Sequence, residues 1–257
     1  MSRRALLAMV ALTLAGRVAA EIAPQDKRSG FEFMSPQTQA MQVDPTSNPG
    51  MLWVLDGERL WQQSQGAVNK SCDSCHGDAA KSMRGVAVRY PAFDEESGKP
   101  LDLAQRINRC RQNRQSAAPL AYESDALLAL TTYVAHQSQG MPITAKPDSR
   151  LQPFIDSGRR WYERRLGQLQ LSCASCHDDR WGARLGGSVI PQAHPTGYPL
   201  YRLEWQTVGS LQRRLRGCLL GVRAEPFAFG APEYVDIELF LMSRAAGLKM
   251  ETPAVRP

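Results

Sequence analysis

Two Cys-x-x-Cys-His runs stand out among the 257 residues: Cys72-Asp73-Ser74-Cys75-His76 and Cys173-Ala174-Ser175-Cys176-His177. This pattern attaches c-type haem. At the start of a helix, two thiols three residues apart reach the two vinyl groups of one porphyrin, and the adjoining imidazole faces the iron. Zinc would want four clustered ligands, and neither run has a second Cys-x-x-Cys or paired histidines nearby. A redox dithiol would want a βαβ setting, which the chain does not offer. The expectation is two covalently bound haem c groups, anchored by Cys72, Cys75, Cys173 and Cys176, with His76 and His177 as iron ligands.

An ordinary cytochrome c supplies Met or His on the far side of the iron. Met83 lies too close behind His76 to fold over the opposite face, and Met141 is a further candidate. His136 reads as a polar-face residue of a closing helix, and His194 as a surface-loop residue. Met242 and Met250 read as helix core and tail. The two remaining cysteines fit better: Cys110 lies 34 residues beyond His76, and Cys218 lies 41 beyond His177. Either loop is long enough to pass the porphyrin edge and return, and thiolate is a known axial ligand that lowers the potential. A Cys110–Cys218 disulfide is the competing reading in an oxidising compartment. Equivalent positions in two repeats would each face their own haem, so ligation is preferred.

Cys218 has a second possible role. Arg213, Arg214 and Arg216 precede it, and Arg214 shares its helix face at four residues' spacing. A guanidinium there stabilises a thiolate and can grip an oxyanion through a bidentate fork. Arg213 and Arg216 read as partners of haem propionates or solvent; for Arg214 both readings stand. Arg106 and Arg109 near Cys110 show that spacing alone does not make one half the reactive one.

These residues sit in a loose internal repeat offset by 101 residues. Gly57-Glu58-Arg59-Leu60-Trp61 precedes the first motif and Gly158-Arg159-Arg160-Trp161-Tyr162 the second. Leu103 to Cys110 recurs as Leu211 to Cys218. Each half closes with an apolar helical stretch: Leu127, Leu130 and Val134 behind a Ser124 cap, then Val235, Leu239 and Met242. A period near 100 excludes short solenoid repeats. The expected fold is mostly α, two tandem class I-like cytochrome c lobes with long loops. The expected divisions are an export signal at 1–20, an N-terminal extension at 21–50, a first lobe at 51–145 and a second, carrying the reactive site, at 146–257. Ser138–Pro153 reads as linker, and Glu21–Pro49 as a loop-like segment wrapped on a lobe.

The N-terminus has the form of a secretory signal: Arg3 and Arg4, an apolar run from Ala5 to Gly16, and Val18-Ala19-Ala20 before Glu21. The run is too short for a membrane span. Removing Arg3, Arg4 and Arg17 takes the formal charge from +6 to +3, with no basic block left to form a nucleic-acid footprint. With 43% hydrophobic and 22% charged residues the chain is globular rather than disordered.

Longer runs are more specific than the haem motifs. They are Phe33 to Gln42, Asn48 to Trp53, Tyr201-Arg202-Leu203-Glu204-Trp205-Gln206, Gly209 to Cys218, and Gly221 to Pro226. On these the chain resembles the SoxA family, dihaem cytochrome c subunits of the L-cysteine S-thiosulfotransferase of bacterial sulfur oxidation. The resemblance covers nearly the whole mature chain. It implies periplasmic oxidative coupling of thiosulfate to a cysteine of a SoxYZ carrier, a SoxX-type monohaem partner in a heterodimer, and a downstream cytochrome c acceptor. Carried onto this sequence, it makes His76 and Cys110 the ligands of the first iron and His177 and Cys218 those of the second. It makes Cys218 the reactive cysteine, as persulfide or thiolate, and Arg214 the substrate-binding residue. Members lacking the first haem motif make that haem dispensable for the chemistry. The alternative is a dihaem electron-transfer cytochrome in which Cys218 is only a ligand; a dihaem peroxidase would need a much longer chain.

Overall fold

The computed structural model covers residues 22–144 and 148–257; the export signal expected at 1–20 and the lobe boundary expected at 145/146 lie outside the described residues. The helices are α1 (Pro36–Val43), α2 (Met51–Gln62), α3 (Asp73–His76), α4 (Ala79–Ser82), α5 (Leu103–Gln115), α6 (Asp125–His136), α7 (Gln152–Glu163), α8 (Cys173–His177), α9 (Leu211–Gly221) and α10 (Pro232–Arg244). The strands are short: β1 (Ala92–Asp94) with β2 (Lys99–Leu101), β3 (Arg184–Leu185) with β4 (Ser188–Val189), and a three-stranded sheet ordered β6 (Thr207–Gly209), β5 (Leu200–Arg202), β7 (Ala254–Arg256). β5 runs antiparallel to β6 and parallel to β7. The chain is predominantly helical, as its periodicity predicts.

The sequence repeat is a structural one at the helix crossings. α2 packs on α6 and α7 on α10. The buried residues of α2 are Val54, Gly57 and Trp61; those of α7 are Ile155, Gly158 and Tyr162, the same spacing. Each glycine lies where its helix meets the backbone of the next. A Cβ on Gly57 would sit 2.2 Å from the Ala129 carbonyl oxygen, and one on Gly158 2.0 Å from that of Asp236. Absence of a side chain is what lets these pairs close.

The helices that carry Cys110 and Cys218 start alike. Asp102 caps α5 in a reciprocal box with Gln105, and the Ser210 hydroxyl caps α9 by accepting from Arg213 N at 3.1 Å. Such caps satisfy amide donors that a first turn leaves free. Ser124 caps α6 as expected.

Three features depart from the sequence reading. The described part of the segment expected at Glu21–Pro49 is not merely loop-like: Ser35 and Pro36 start α1, and the segment is stitched to the far end of the chain. Gln42 Oε1 accepts from Val255 N at 3.1 Å, and Asn48 Nδ2 donates to the Pro253 carbonyl at 2.8 Å. The expected linker is partly paired, with Gly140 N on the Met250 carbonyl at 2.8 Å and Ile143 N on that of Leu248 at 2.8 Å. Finally, Met250 is no tail. With Met242 and Ala245 it is buried in the same core as Val54, Trp61, Leu103 and Val134, so the end of the chain completes the core of its first half.

Candidate functional site

The aromatic of each entering helix points its polar end at the residue after the motif histidine. Trp61 Nε1 donates to the Gly77 carbonyl at 3.1 Å, and the Tyr162 hydroxyl donates to Asp178 Oδ1 at 2.8 Å. Asp178 also holds Arg244 at 2.5 Å, with both side chains 9% exposed. The Ser172 hydroxyl caps the short helix that starts at Cys173. The aromatic at this point of each repeat thus fixes the turn that presents His76 or His177.

In the first half a cavity of about 550 Å³ is lined by Cys72, His76, Cys110 and Met83, with Trp61 and Arg106. In the second, a cavity of about 160 Å³ is lined by His177, Cys218, Arg214, Tyr198 and Arg202. Each brings a motif histidine and the distal cysteine of its own half to one space. Cys110 and Cys218 are free thiols lining different cavities, so they form no disulfide. These residues fit haem c: at the first site Cys72 and His76 share a cavity with Cys110 from a separate helix, and at the second His177 shares one with Cys218. At the second site the His177 Nδ1–H donates to the Pro191 carbonyl at 2.6 Å, which fixes the tautomer and leaves Nε2 for a metal. Cys75, Cys173 and Cys176 are not among the cavity linings, though Cys173 packs against the adjoining core.

The other sixth-ligand candidates go elsewhere, with one surprise. His136 Nδ1 donates to the Thr252 carbonyl at 3.2 Å, and Met141 packs against the first core. Met242 and Met250 are core residues. His194, however, is no surface residue. It is buried, its Nδ1–H donates to the Arg28 carbonyl at 2.8 Å, and it lines the second cavity. Burial pushes its pKa down to about 4, so it is a neutral imidazole. The N-terminal extension covers it, which local sequence could not reveal.

Surroundings separate the two cysteines, where spacing did not. Burial pushes the Cys110 thiol up, with the Cys75 sulfur adding to it. Of the guanidiniums nearby, Arg114 lines the cavity and favours the thiolate, while Arg106 holds Asp94 at 2.8 Å and Arg109 holds the same carboxylate. Burial also opposes ionisation of Cys218, yet the neighbouring His177 imidazole and the guanidinium charges of Arg214 and Arg202 together bring it below an ordinary thiol. The Arg214 guanidinium has no hydrogen-bond partner among the described residues and faces the cavity. Arg213 lies over the Trp205 ring at 4.4 Å, and Arg216 over that of Phe229 at 4.6 Å, bonded to the Phe227 carbonyl. Neither lines the cavity. The second site is a buried, cation-lined pocket around one thiol, suited to an oxyanion that reacts with sulfur.

Comparison with known proteins agrees. Residues 56–143 match the family model described as SoxA/TsdA, cytochrome c domain. The chain is 38% identical over 230 residues to the L-cysteine S-thiosulfotransferase subunit SoxA of Pseudaminobacter salicylatoxidans, covering 89% of this chain and 80% of that protein. The chain belongs to the SoxA family. The SoxA subunit of Rhodovulum sulfidophilum is 37% identical over 229 residues, covering 89% of this chain and 80% of its own. The crystal structure of SoxXA from P. pantotrophus superposes with a TM-score of 0.86 at 32% identity, covering 90% of this chain and 87% of that one. A SoxA-family, cytochrome c-like fold thus surrounds the arginine-lined thiol.

Proposed function

We propose that this chain is the catalytic subunit of an L-cysteine S-thiosulfotransferase. It couples thiosulfate oxidatively to a cysteine of a SoxYZ-type carrier, in a heterodimer with a SoxX-type cytochrome, in the periplasm. The observation that carries this reading is the convergence of Cys218, Arg214 and His177 on one cavity in a SoxA-family chain. In it, 51–145 and 146–257 are two cytochrome c lobes, each with one haem c, on Cys72, Cys75, His76 and Cys110 and on Cys173, Cys176, His177 and Cys218.

Haem c, when bound, supplies one-electron acceptors that pass the two electrons of each turnover towards a downstream cytochrome c. Arg214 binds the sulfonate of thiosulfate through its unoccupied fork and holds the outer sulfur against Cys218. Arg214 and Arg202 also favour the Cys218 thiolate, the form that reacts. Cys218, as thiolate or persulfide, forms a sulfur–sulfur bond with that outer sulfur as two electrons leave. The carrier thiolate then attacks the sulfur next to the sulfonate, takes the thiosulfonate and releases Cys218 by thiol–disulfide exchange.

Cys218→Ser in the haem-loaded complex is expected to abolish thiosulfate-dependent modification of the carrier while all thioether-bound haem stays attached. Wild-type turnover in that variant would overturn the reading and leave an electron-transfer cytochrome. An intact-mass gain of about 32 Da on the Cys218 peptide of the isolated protein would place a sulfur adduct on that thiol.

A further inference from the structure

Two surfaces of known periodicity meet at the second cavity. Successive side chains of an extended strand point to opposite sides. Tyr198, Leu200 and Arg202 all line the cavity, while Tyr201 and Leu203 face away into the core formed with Leu128, Val208 and Val255. From the other wall α9 presents Leu211, Arg214, Leu215 and Cys218, one helical face at i, i+3, i+4 and i+7. Arg202 and Arg214 therefore reach the same space from different elements.

Three arginines line this cavity, and no aspartate or glutamate does. They differ in what already holds them. Arg256 is committed: it bonds Gln42 and the Glu251 carboxylate at 2.5 Å. Arg214 has no protein partner among the described residues. Arg202 donates only its Nε, to Glu204 at 2.8 Å; its own side chain is 13% exposed and that of Glu204 64%. Both terminal amino groups of Arg202 are left without a partner among the described residues, and its guanidinium lies 5.4 Å from the Trp205 ring. Pairing with an exposed carboxylate through Nε leaves both terminal amino groups of the fork free. Two guanidiniums facing one cavity repel each other, and an anion between them relieves this.

We propose that Arg202 is a second substrate-binding residue: with Arg214 it forms a two-guanidinium clamp on the sulfonate end of dianionic thiosulfate, from the strand side of the pocket. This rests on the thiosulfotransferase reading of the site. The clamp selects for a doubly charged oxyanion over singly charged sulfur donors such as hydrosulfide, and it fixes the outer sulfur towards Cys218 because two cations hold the opposite end.

The test is steady-state kinetics of the haem-loaded complex with thiosulfate, carrier and a cytochrome acceptor, comparing Arg202→Gln, Arg202→Lys and Glu204→Gln. Arg202→Gln is expected to raise KM for thiosulfate about 10- to 100-fold, the worth of one charge-assisted hydrogen bond, with kcat within about threefold. The haem absorption spectrum and midpoint potential should not move. Arg202→Lys is expected to recover part of the loss, and Glu204→Gln, which keeps the cation, to leave KM equal or lower. An unmoved KM in Arg202→Gln overturns the proposal. So does a shifted haem potential with unmoved KM, which would make Arg202 a propionate partner, or a raised KM in Glu204→Gln. If Cys218→Ser and Arg214→Ala lose turnover while Arg202→Gln keeps its KM, only the clamp fails. If Cys218→Ser turns over like wild type, the reading beneath it fails.

Discussion

Gly158→Ala tests the helix crossing that holds the second site together. The added Cβ would sit 2.0 Å from the Asp236 carbonyl oxygen and 2.8 Å from Phe240 Cβ. Relief requires α7 and α10 to part by about 1 Å, because the obstacle is backbone and cannot rotate away. That parting loosens the contacts of Ile155 and Tyr162 with Leu239 and Phe240. Overpacking of this kind costs about 1–3 kcal/mol, and a clash with a carbonyl belongs at the upper end. The better helix propensity of alanine returns about 1 kcal/mol. The net loss of about 2 kcal/mol lowers Tm by about 4–8 °C for a chain of this size. Gly217→Ala is the matched control: that glycine is also inside a helix, but a Cβ there meets nothing within 4 Å. The assay is thermal unfolding of the haem-loaded protein followed by far-UV circular dichroism. The expected result is a lower Tm for Gly158→Ala, and likewise for Gly57→Ala, beside an equal or higher one for Gly217→Ala. Equal shifts in Gly158→Ala and Gly217→Ala would refute the close-approach argument.

Asp178→Ala should cost about 3–5 kcal/mol in a denaturant titration, since it strands the buried Arg244 guanidinium and the Tyr162 hydroxyl. Asp178→Asn, which keeps an acceptor, should cost less. Glu238 is pushed well above its ordinary range by burial and then by the Asp102 carboxylate, which itself is raised by burial although Tyr122 and Gln212 donate to it. A raised folded-state pKa gives stability that is present below the unfolded value of about 4.3 and lost as pH climbs through the folded value. Tm should therefore fall as pH rises from about 4.5, and the fall should be shallower in Glu238→Gln; parallel profiles would refute the assignment. Cys110→Ala should alter the spectrum of the first haem while thiosulfate turnover stays within about threefold, because burial raises the Cys110 thiol and Arg106 and Arg109 beside it are bound to Asp94.

The parts legible in sequence were those set by local spacing. The Cys-x-x-Cys-His runs, the Ser124 cap, and the apolar faces of α6 and α10 follow from neighbours within a few residues. Periodicity tells which face is buried but not against what. Met242 and Met250 were rightly apolar, yet nothing nearby shows that they complete the other half's core. His194 looked like a loop residue because the segment that buries it, around Arg28, lies 166 positions away. Arg202 sits on a strand of three residues, too short for alternation to register. The difference between Cys110 and Cys218 was equally hidden. It depends on Asp94, brought to Arg106 and Arg109 by the β1–β2 hairpin, and on His177 and Arg202, brought to Cys218 from other elements.

The lock between the two ends of the chain bears on how the protein is made. β7 joins β5, Pro253 and Val255 receive Asn48 and Gln42, and Met250 enters the first core. Closing contacts over more than 200 residues slows folding, since the loop entropy must be met before the contacts reward it. No amino-terminal fragment can assemble a finished first core ahead of the final residues. The first core stays incomplete until Met242, Ala245 and Met250 arrive, which leaves an interval in which thioether bonds to Cys72 and Cys75 can be made before that core closes.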